Sequence, residues 1–380
     1  MPWKEVSVGS QRAEFVALAG AGGANIRALC RSFGISPTTG YKWLARSEGA
    51  GAASLQDRSR RPHRSPRKTD SELEAAVLSV RDHHPSWGGR KIVAWLRNHG
   101  RISVAHPNTV THILRRHGRL DPVQAGQHRP WQRFEYAAPN ALWQTDFKGH
   151  VPLGARGGRL HPLTVMDDHS RFSLGLTACG DETSLTVQTH LTGIFRRYGL
   201  PDRMLMDNGP PFGAGSPDRF TPLTVWLLRL GIAVSHGRPH HPQTQGKEER
   251  FHRTLKAELL QGRVFGDLVE AQRAFDRWRD VYNLERPHEA CGLAPPVSRY
   301  QVSARPFPET LPPIEYGPDD QVRKVQGKGE IHFRGKVYLV GKAFHGYPIA
   351  LRPTQQDALW DAHFGSHLVT QISLEEPAES

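Results

Sequence analysis

Three cysteines, Cys30, Cys179 and Cys291, are all that this 380-residue chain has, and none forms a Cys-x-x-Cys pair. That excludes a disulfide scaffold and points to reduced, structural thiols in a cytosolic protein. It also excludes a cysteine-built zinc module, because none of the 21 histidines shares with a cysteine the spacing a structural zinc needs. Long apolar runs are missing too. No stretch approaches the roughly 20 residues of a membrane span, and residues 15–24, small and apolar, are short and follow no basic segment, so no secretory signal is expected. Acid is in deficit: 37 Asp and Glu stand against 50 Lys and Arg, a formal net charge of +13. A polyanionic partner follows, nucleic acid before an anionic membrane. With 37% hydrophobic residues the chain can still bury cores, in two to four domains.

The first 50 residues read as short helices. Residues 11–18, 25–33 and 37–44 are three candidates, with Asn25 and Ser36 as caps and Pro37 at a first helical position. Helix, Gly34 turn, helix is the helix-turn-helix arrangement, and Thr38, Thr39 and Lys42 on its last helix can reach bases or phosphates. Residues 51–69 are a basic linker. Arg58, Arg60 and Arg61, with Pro62 and Pro66 preventing a helix, make an arm able to track a phosphate backbone. Residues 70–120 read as a second helix-turn-helix domain whose basic last helix carries Arg115 and Arg116, and residues 121–139 as another linker.

From residue 140 the pattern turns to β. Strands are expected at 141–151, 160–167, 171–178, 203–207 and 232–235, and helices at 184–198, 221–230, from Glu249 onward and at 268–282. Three antiparallel strands followed by alternating helices and strands imply a layered α/β sheet over 140–290. Residues 291–325 are a Pro-rich connector. Residues 326–375 have β segments at 330–340, 347–351 and 358–372 and the size of a small β-barrel.

Within the sheet region three acids carry the chemistry. Asp146 lies at the centre of the first strand, on the face opposite Trp143, Thr145 and Phe147. Asp207 closes the apolar Met204-Leu205-Met206 strand at its carboxyl end, where α/β sheets place functional groups. Glu249 begins a helix that continues through Arg253 and Lys256 on one face, with Phe251, Leu255 and Leu259 on another. Gathered carboxylates repel one another unless a cation joins them, and oxygen ligands select Mg²⁺ or Mn²⁺. Two such ions suit phosphoryl transfer. Arg253 and Lys256 would then hold substrate phosphates.

The segments Trp143-Gln144-Thr145-Asp146, Thr164-Val165-Met166-Asp167-Asp168-His169-Ser170-Arg171, Asp207-Asn208-Gly209-Pro210-Pro211-Phe212 and His241-Pro242-Gln243-Thr244-Gln245-Gly246-Lys247-Glu248-Glu249-Arg250 together resemble the catalytic core of retroviral integrases. The resemblance is closest to bacterial insertion-sequence transposases with such a core, and it covers roughly 140–290. It implies an RNase H-like fold and an Asp146, Asp207, Glu249 triad holding two divalent metals, with Arg250, Arg253 and Lys256 on the DNA. Glu248 competes with Glu249; the family spacing of Gln-Gly, two residues, then Glu selects Glu249. The Asp207–Glu249 interval is a few residues longer than the family's usual one, and the surplus falls in the Gly- and Ser-containing loop 213–218. The retroviral zinc-binding N-terminal domain is absent, and helix-turn-helix units stand in its place.

The expected protein is therefore multidomain: N-terminal all-α helix-turn-helix domains, an α/β RNase H-like core and a C-terminal small β-barrel. The expected activity is insertion-sequence transposition, by phosphodiester hydrolysis and 3′-OH strand transfer on double-stranded DNA, by a homo-oligomer in a bacterial cytoplasm. A catalytically silent DNA-binding regulator and an RNase H-fold nuclease are the alternatives. Asp167 and Asp168 read first as turn chemistry, with support of the metal ligands a lesser reading, and DNA contact is a lesser reading for His169 and Arg171.

Overall fold

A computed structural model describes residues 7–48, 54–57, 69–101, 105–120, 135–154, 157–213, 220–237 and 246–374. The basic-arm residues Arg58, Arg60 and Arg61, the loop 214–218 and the His240–Gln245 part of the family motif lie outside them. The chain divides into two units, 1–68 and 69–380.

The first unit holds α1 (Val8–Ala19), α2 (Ile26–Ser32) and α3 (Pro37–Ser47). The Asn25 side chain caps α2 by accepting from Ala28 N at 3.1 Å, and Ser36 caps α3 ahead of Pro37. Phe15, Cys30 and Trp43 form its centre. Gly40 lies inside α3 because a β-carbon there would come within 2.5 Å of Cys30 Sγ and 2.9 Å of a Phe15 ring atom.

The second unit begins with α4 (Ser71–His83), α5 (Gly89–Asn98) and α6 (Pro107–Arg116), packed around Val77, Trp87, Ile92, Val110 and Leu114. The core follows as β1 (Trp143–Phe147), β2 (Val151–Pro152), β3 (Arg159–Asp167), β4 (Ser173–Cys179), α7 (Ser184–Tyr198), β5 (Arg203–Met206), α8 (Pro222–Arg229), β6 (Ala233–His236), α9 (Gly246–Leu255) and α10 (Leu268–Asp280). Strand β1 pairs antiparallel with β3 and parallel with β5; β4 flanks β3 and β6 flanks β5. This mixed sheet is the expected RNase H-like arrangement. Helices α7 and α8 cover one face through Leu191, Phe195 and Leu227, and α9 and α10 cover the other through Phe251, Leu255 and Phe275.

Two expectations change. The Pro-rich stretch is no loose connector. Tyr300 stacks on Phe172 at 4.2 Å, Phe307 packs on Phe195, and Arg305 donates to the carbonyls of Pro201, Leu230 and Gly231. Proline forbids regular structure there, but this strap finds backbone partners on the core edge instead. Its last residues enter β7 (Gln321–Lys324), a strand the pattern missed. The C-terminal domain is likewise no closed barrel. Among the described residues, β7, β10 (Pro348–Pro353), β11 (Leu359–Phe364) and β12 (His367–Ser373) form an open sheet in the order β12-β11-β10-β7, beside a hairpin of β8 (Glu330–Phe333) and β9 (Lys336–Leu339). Closure is not needed to fill the interior: Ile331 and Phe333 of the hairpin and Val225 and Leu228 of α8 join Trp360 and Phe364 in one cluster.

The three cysteines are free and buried. No described helix is long and apolar enough to cross a membrane.

Gly199 ends α7 at φ +76, where a β-carbon would meet Arg305 O at 2.7 Å and Ser303 Cβ at 2.9 Å. Gly199→Ala should therefore lift the strap and lower stability by about 1–3 kcal/mol, read as a fall in melting temperature of the full chain. An unchanged melting temperature would show that the strap contributes nothing.

Candidate metal and nucleic-acid site

Asp146 owes its position to β1, the one strand bonded to both the antiparallel and the parallel half of the sheet. Its cross-strand partner is Thr164, whose hydroxyl donates to the Asp146 carbonyl oxygen at 2.9 Å. Carrying the Trp143↔Met204 and Gln144↔Leu205 pairing on by two places sets Asp207 level with Asp146. Asp207 is exposed at the carboxyl end of β5, where its side chain accepts from Asn208 N at 2.6 Å.

Helix α9 crosses above this point. Phe251 and Leu255 are buried against the sheet, so residues three and four positions before them, with His252, face the same way. That phase turns Glu248, and not Glu249, toward Asp146. Glu248 is 3% exposed, whereas Glu249 lies exposed on the next face. The expectation that Glu249 packs against the strand aspartates thus does not describe the arrangement seen: ligand atoms of Asp146, Glu248 and His252 all lie within 4.8 Å of one another. Thr164 is the polar floor, with its hydroxyl 2.9 Å from His252 Nε2 and 3.4 Å from Glu248 Oε1. His252 and Thr164 were not picked out from the sequence; the signal was the pairing of Thr164 opposite Asp146, which alternation alone does not give.

The electrostatics follow from burial. Desolvation, helped by the nearby Asp207 charge, raises the Asp146 carboxyl to about 6. Glu248 is raised well above the carboxylate range, by burial first and by Asp146 second. Burial and the Lys148 charge lower His252 to about 4, so it is neutral at pH 7. A neutral imidazole and carboxylates that resist ionising are groups a divalent cation would draw into their coordinating forms. The residues present therefore fit a metal.

A second carboxylate secures the frame. Asp168, 1% exposed, accepts from Gln144 Nε2 at 2.7 Å, from Tyr136 N at 2.9 Å and from Lys247 Nζ. It thereby ties α9 to β1 one residue before Glu248 and two before Asp146. Asp167 holds Ser170 by turn hydrogen bonds, as expected, and also accepts from Asn140 N across 27 residues of chain at 2.7 Å. Arg171 and His169 turn inward: Arg171 pairs with Glu135 at 2.9 Å, and His169 Nδ1 lies 2.8 Å from Tyr136 O. Both are internal supports.

Arg250 and Arg253 on α9, and Lys256 just past its end, are all exposed. A π-turn at Lys256–Leu260 then shifts the phase, burying Leu260 where Leu259 was expected and bringing Glu258 to Arg286 at 3.0 Å and to Trp278 Nε1 at 3.2 Å. On α3, Thr38 and Lys42 are exposed, while Thr39 is half-buried and bonds Ser36. On α6, Arg115 is exposed and Arg116 pairs with Glu74 at 2.6 Å.

Known families match in the same order as these domains. A helix-turn-helix domain matches residues 11–63 and a homeodomain-like domain residues 39–114. Integrase core domains match 137–242 and 230–296, and the C-terminal domain of IS481 family transposases matches 320–379. The matched segments are an integrase core with helix-turn-helix domains before it and a domain similar to the C-terminal one of IS481 family transposases after it. Among relatives of this transposase-like chain, an uncharacterized 39.2 kDa protein of insertion element IS476 from Xanthomonas euvesicatoria is 26% identical over 238 residues, 61% of this chain and 65% of the relative. An uncharacterized 31.7 kDa protein of insertion element IS407 from Burkholderia multivorans is 27% identical over 42% of this chain and 54% of its own length. The Gag-Pro-Pol polyprotein of sheep pulmonary adenomatosis virus is 35% identical over 34% of this chain and 7% of the polyprotein. The chain thus spans less than two thirds of each of these relatives. The catalytic core domain of BIV integrase, 27% identical, aligns over 42% of this chain and 93% of its own, with a TM-score of 0.32.

The raised Asp146 carboxyl has a pH consequence. The folded, metal-free protein holds a proton between pH 3.8 and about 6 that the unfolded chain has released, so stability falls as pH rises through that window. In chelator at pH 7, Asp146→Asn should be more stable than the parent by on the order of 1–3 kcal/mol, with the difference vanishing near pH 4. Melting curves against pH check this; equal stability at pH 7 would mean that Asp146 is not destabilised by its site.

Proposed function

We propose that this chain is an insertion-sequence transposase that cuts a phosphodiester at the element end and joins the freed 3′-OH to target DNA, acting as an oligomer on double-stranded DNA. The observation that carries this reading is an integrase core in which Asp146 and Asp207 stand level on adjacent strands beneath a helix beginning with two glutamates.

In this reading Asp146, Asp207 and Glu249 hold two Mg²⁺ or Mn²⁺ ions. When bound, such ions stabilise the negative charge that builds up on the phosphate during in-line attack. The chain's own groups do the rest. The β1–β3 pairing and the Thr164 hydroxyl bond fix the backbone from which the Asp146 carboxyl projects into the site. Water breaks the bond between phosphorus and the 3′-oxygen, which leaves with a proton as the 3′-OH. That hydroxyl then attacks a target phosphodiester and displaces a target 3′-oxygen. Arg250, Arg253 and Lys256 grip the strand's phosphates beside the reacting one. Thr38, Thr39 and Lys42 of α3, Arg115 and Arg116 of α6 and the Arg58, Arg60, Arg61 arm bind the element ends. Arg116 must exchange its Glu74 partner for a phosphate to take part.

What supports Glu249 as third ligand is the Gln245-Gly246-x-x-Glu spacing and its exposure to an arriving DNA strand. A second reading places Glu248 there, favoured by its ligand atom lying within 4.8 Å of those of Asp146 and His252.

Strand transfer with labelled DNA and Mg²⁺ tests both. Asp146→Asn and Asp207→Asn should each reduce the rate at least about a thousandfold, the order lost when transition-state charge stabilisation is removed. Glu249→Gln should do the same while Glu248→Gln retains measurable turnover. The reverse pattern moves the ligand to Glu248, and full activity in all four variants sinks the metal-site assignment.

A further inference from the structure

The contacts behind Asp146 turn one ring nitrogen of His252 toward the carboxylates. Thr164 has a single hydroxyl hydrogen, and the Asp146 carbonyl oxygen, which can only accept, lies 2.9 Å away. His252 Nε2 lies 2.9 Å from the same hydroxyl oxygen. When that hydrogen goes to the carbonyl, Nε2 donates to the Thr164 oxygen, and this Nε2–H tautomer leaves Nδ1 an acceptor able to bind a metal. Nδ1 faces Asp146 Oδ2 at 4.0 Å, beyond hydrogen-bond reach, on a side chain only 10% exposed.

In that tautomer two acceptors face each other, His252 buried and Asp146 30% exposed, and they repel unless a cation joins them. Their separation falls within the range spanned by two ligands of one ion with bonds of roughly 2.1 Å. Glu248 closes the same cluster. A structural histidine would instead turn both ring nitrogens to donors or acceptors of matching kind, and here only Nε2 is so satisfied.

We propose that His252 Nδ1 is a nitrogen ligand to the metal held by Asp146, and that the site consequently favours a cation tolerant of imidazole, Mn²⁺ over Mg²⁺. The inference rests on the metal-dependent reading above, but not on the choice of glutamate. At 100° per residue, His252 lies about 40° around α9 from Glu248 and about 60° from Glu249, so it borders the site beside either. Oxygen-only sites suit Mg²⁺, whereas imidazole raises affinity for first-row transition ions.

The test is Mn²⁺ binding to the full chain followed by pulsed EPR, which reads hyperfine coupling from a directly bound imidazole nitrogen without any need for turnover. The parent protein should show that coupling, and His252→Asn should lose it. The same variant should bind Mn²⁺ about tenfold more weakly while its Mg²⁺ affinity changes less than about threefold. Mn²⁺ bound to the parent without nitrogen coupling, or coupling that survives in His252→Asn, overturns the inference and leaves the metal-dependent reading intact. Failure of the parent to bind Mn²⁺ or Mg²⁺ at all overturns both. Because the decisive spectrum is that of the parent protein, an unstable variant does not blunt the test.

Discussion

Mutual repulsion among half-buried carboxylates is the constraint around which this molecule is arranged. Asp146 sits mid-strand with Asp207 level beside it and Glu248 packed above, and burial alone already raises both Asp146 and Glu248. Such a cluster does not persist for packing reasons, since any apolar residue would fill the space at lower cost. It makes physical sense only as a place where positive charge arrives. The neutral His252, the Thr164 hydroxyl beneath it and the exposed cations of α9 grade from a buried acidic interior to a cationic surface.

Holding that cluster requires stiffness from elsewhere. Asp168 joins β1, α9 and the segment entering the core in one carboxylate, and Glu135 next to it bridges Arg171 and Arg299 at 2.9 Å and 2.6 Å. Arg299 begins the strap that runs along Tyr198, Leu200 and Leu230 to the C-terminal sheet. On the far side, Glu258 receives Arg286, Trp278 and Ser86, so the second helical domain hydrogen-bonds through Ser86 to a core ion pair at the end of the helix that carries the glutamates. The elements that carry the acidic cluster are thus braced at both ends by polar contacts, which fix geometry more sharply than apolar packing does.

Much of this was legible in the chain. Caps at Asn25 and Ser36 and the Gly199 stop after α7 are local signals with local causes, and they appear where expected, whereas the alternation expected in β4 gives way to burial on both faces. The acids Asp146 and Asp207 were readable because a charged residue in or at the end of an apolar strand has few innocent explanations. Less was readable where partners are distant. Proline-rich composition signals the absence of regular structure and not the absence of contacts, so the strap passed for a linker. Short strands at regular spacing are compatible with a barrel or an open sheet, and the choice depends on whether α8 is present to cover the opening.

The sequence by itself determined the order of domains, the mixed sheet and the identity of the two strand aspartates, because periodicity, turn residues and charge in an apolar strand act within a few residues of chain. Tertiary structure alone decided which face of α9 meets the sheet. Burial of Phe251 and Leu255 sets the rotation of that helix, and the rotation brings Glu248 and His252, rather than Glu249, to Asp146. A single helix position is about 100° of arc, and no local pattern resolves it until the sheet beneath supplies the surface against which the helix must turn.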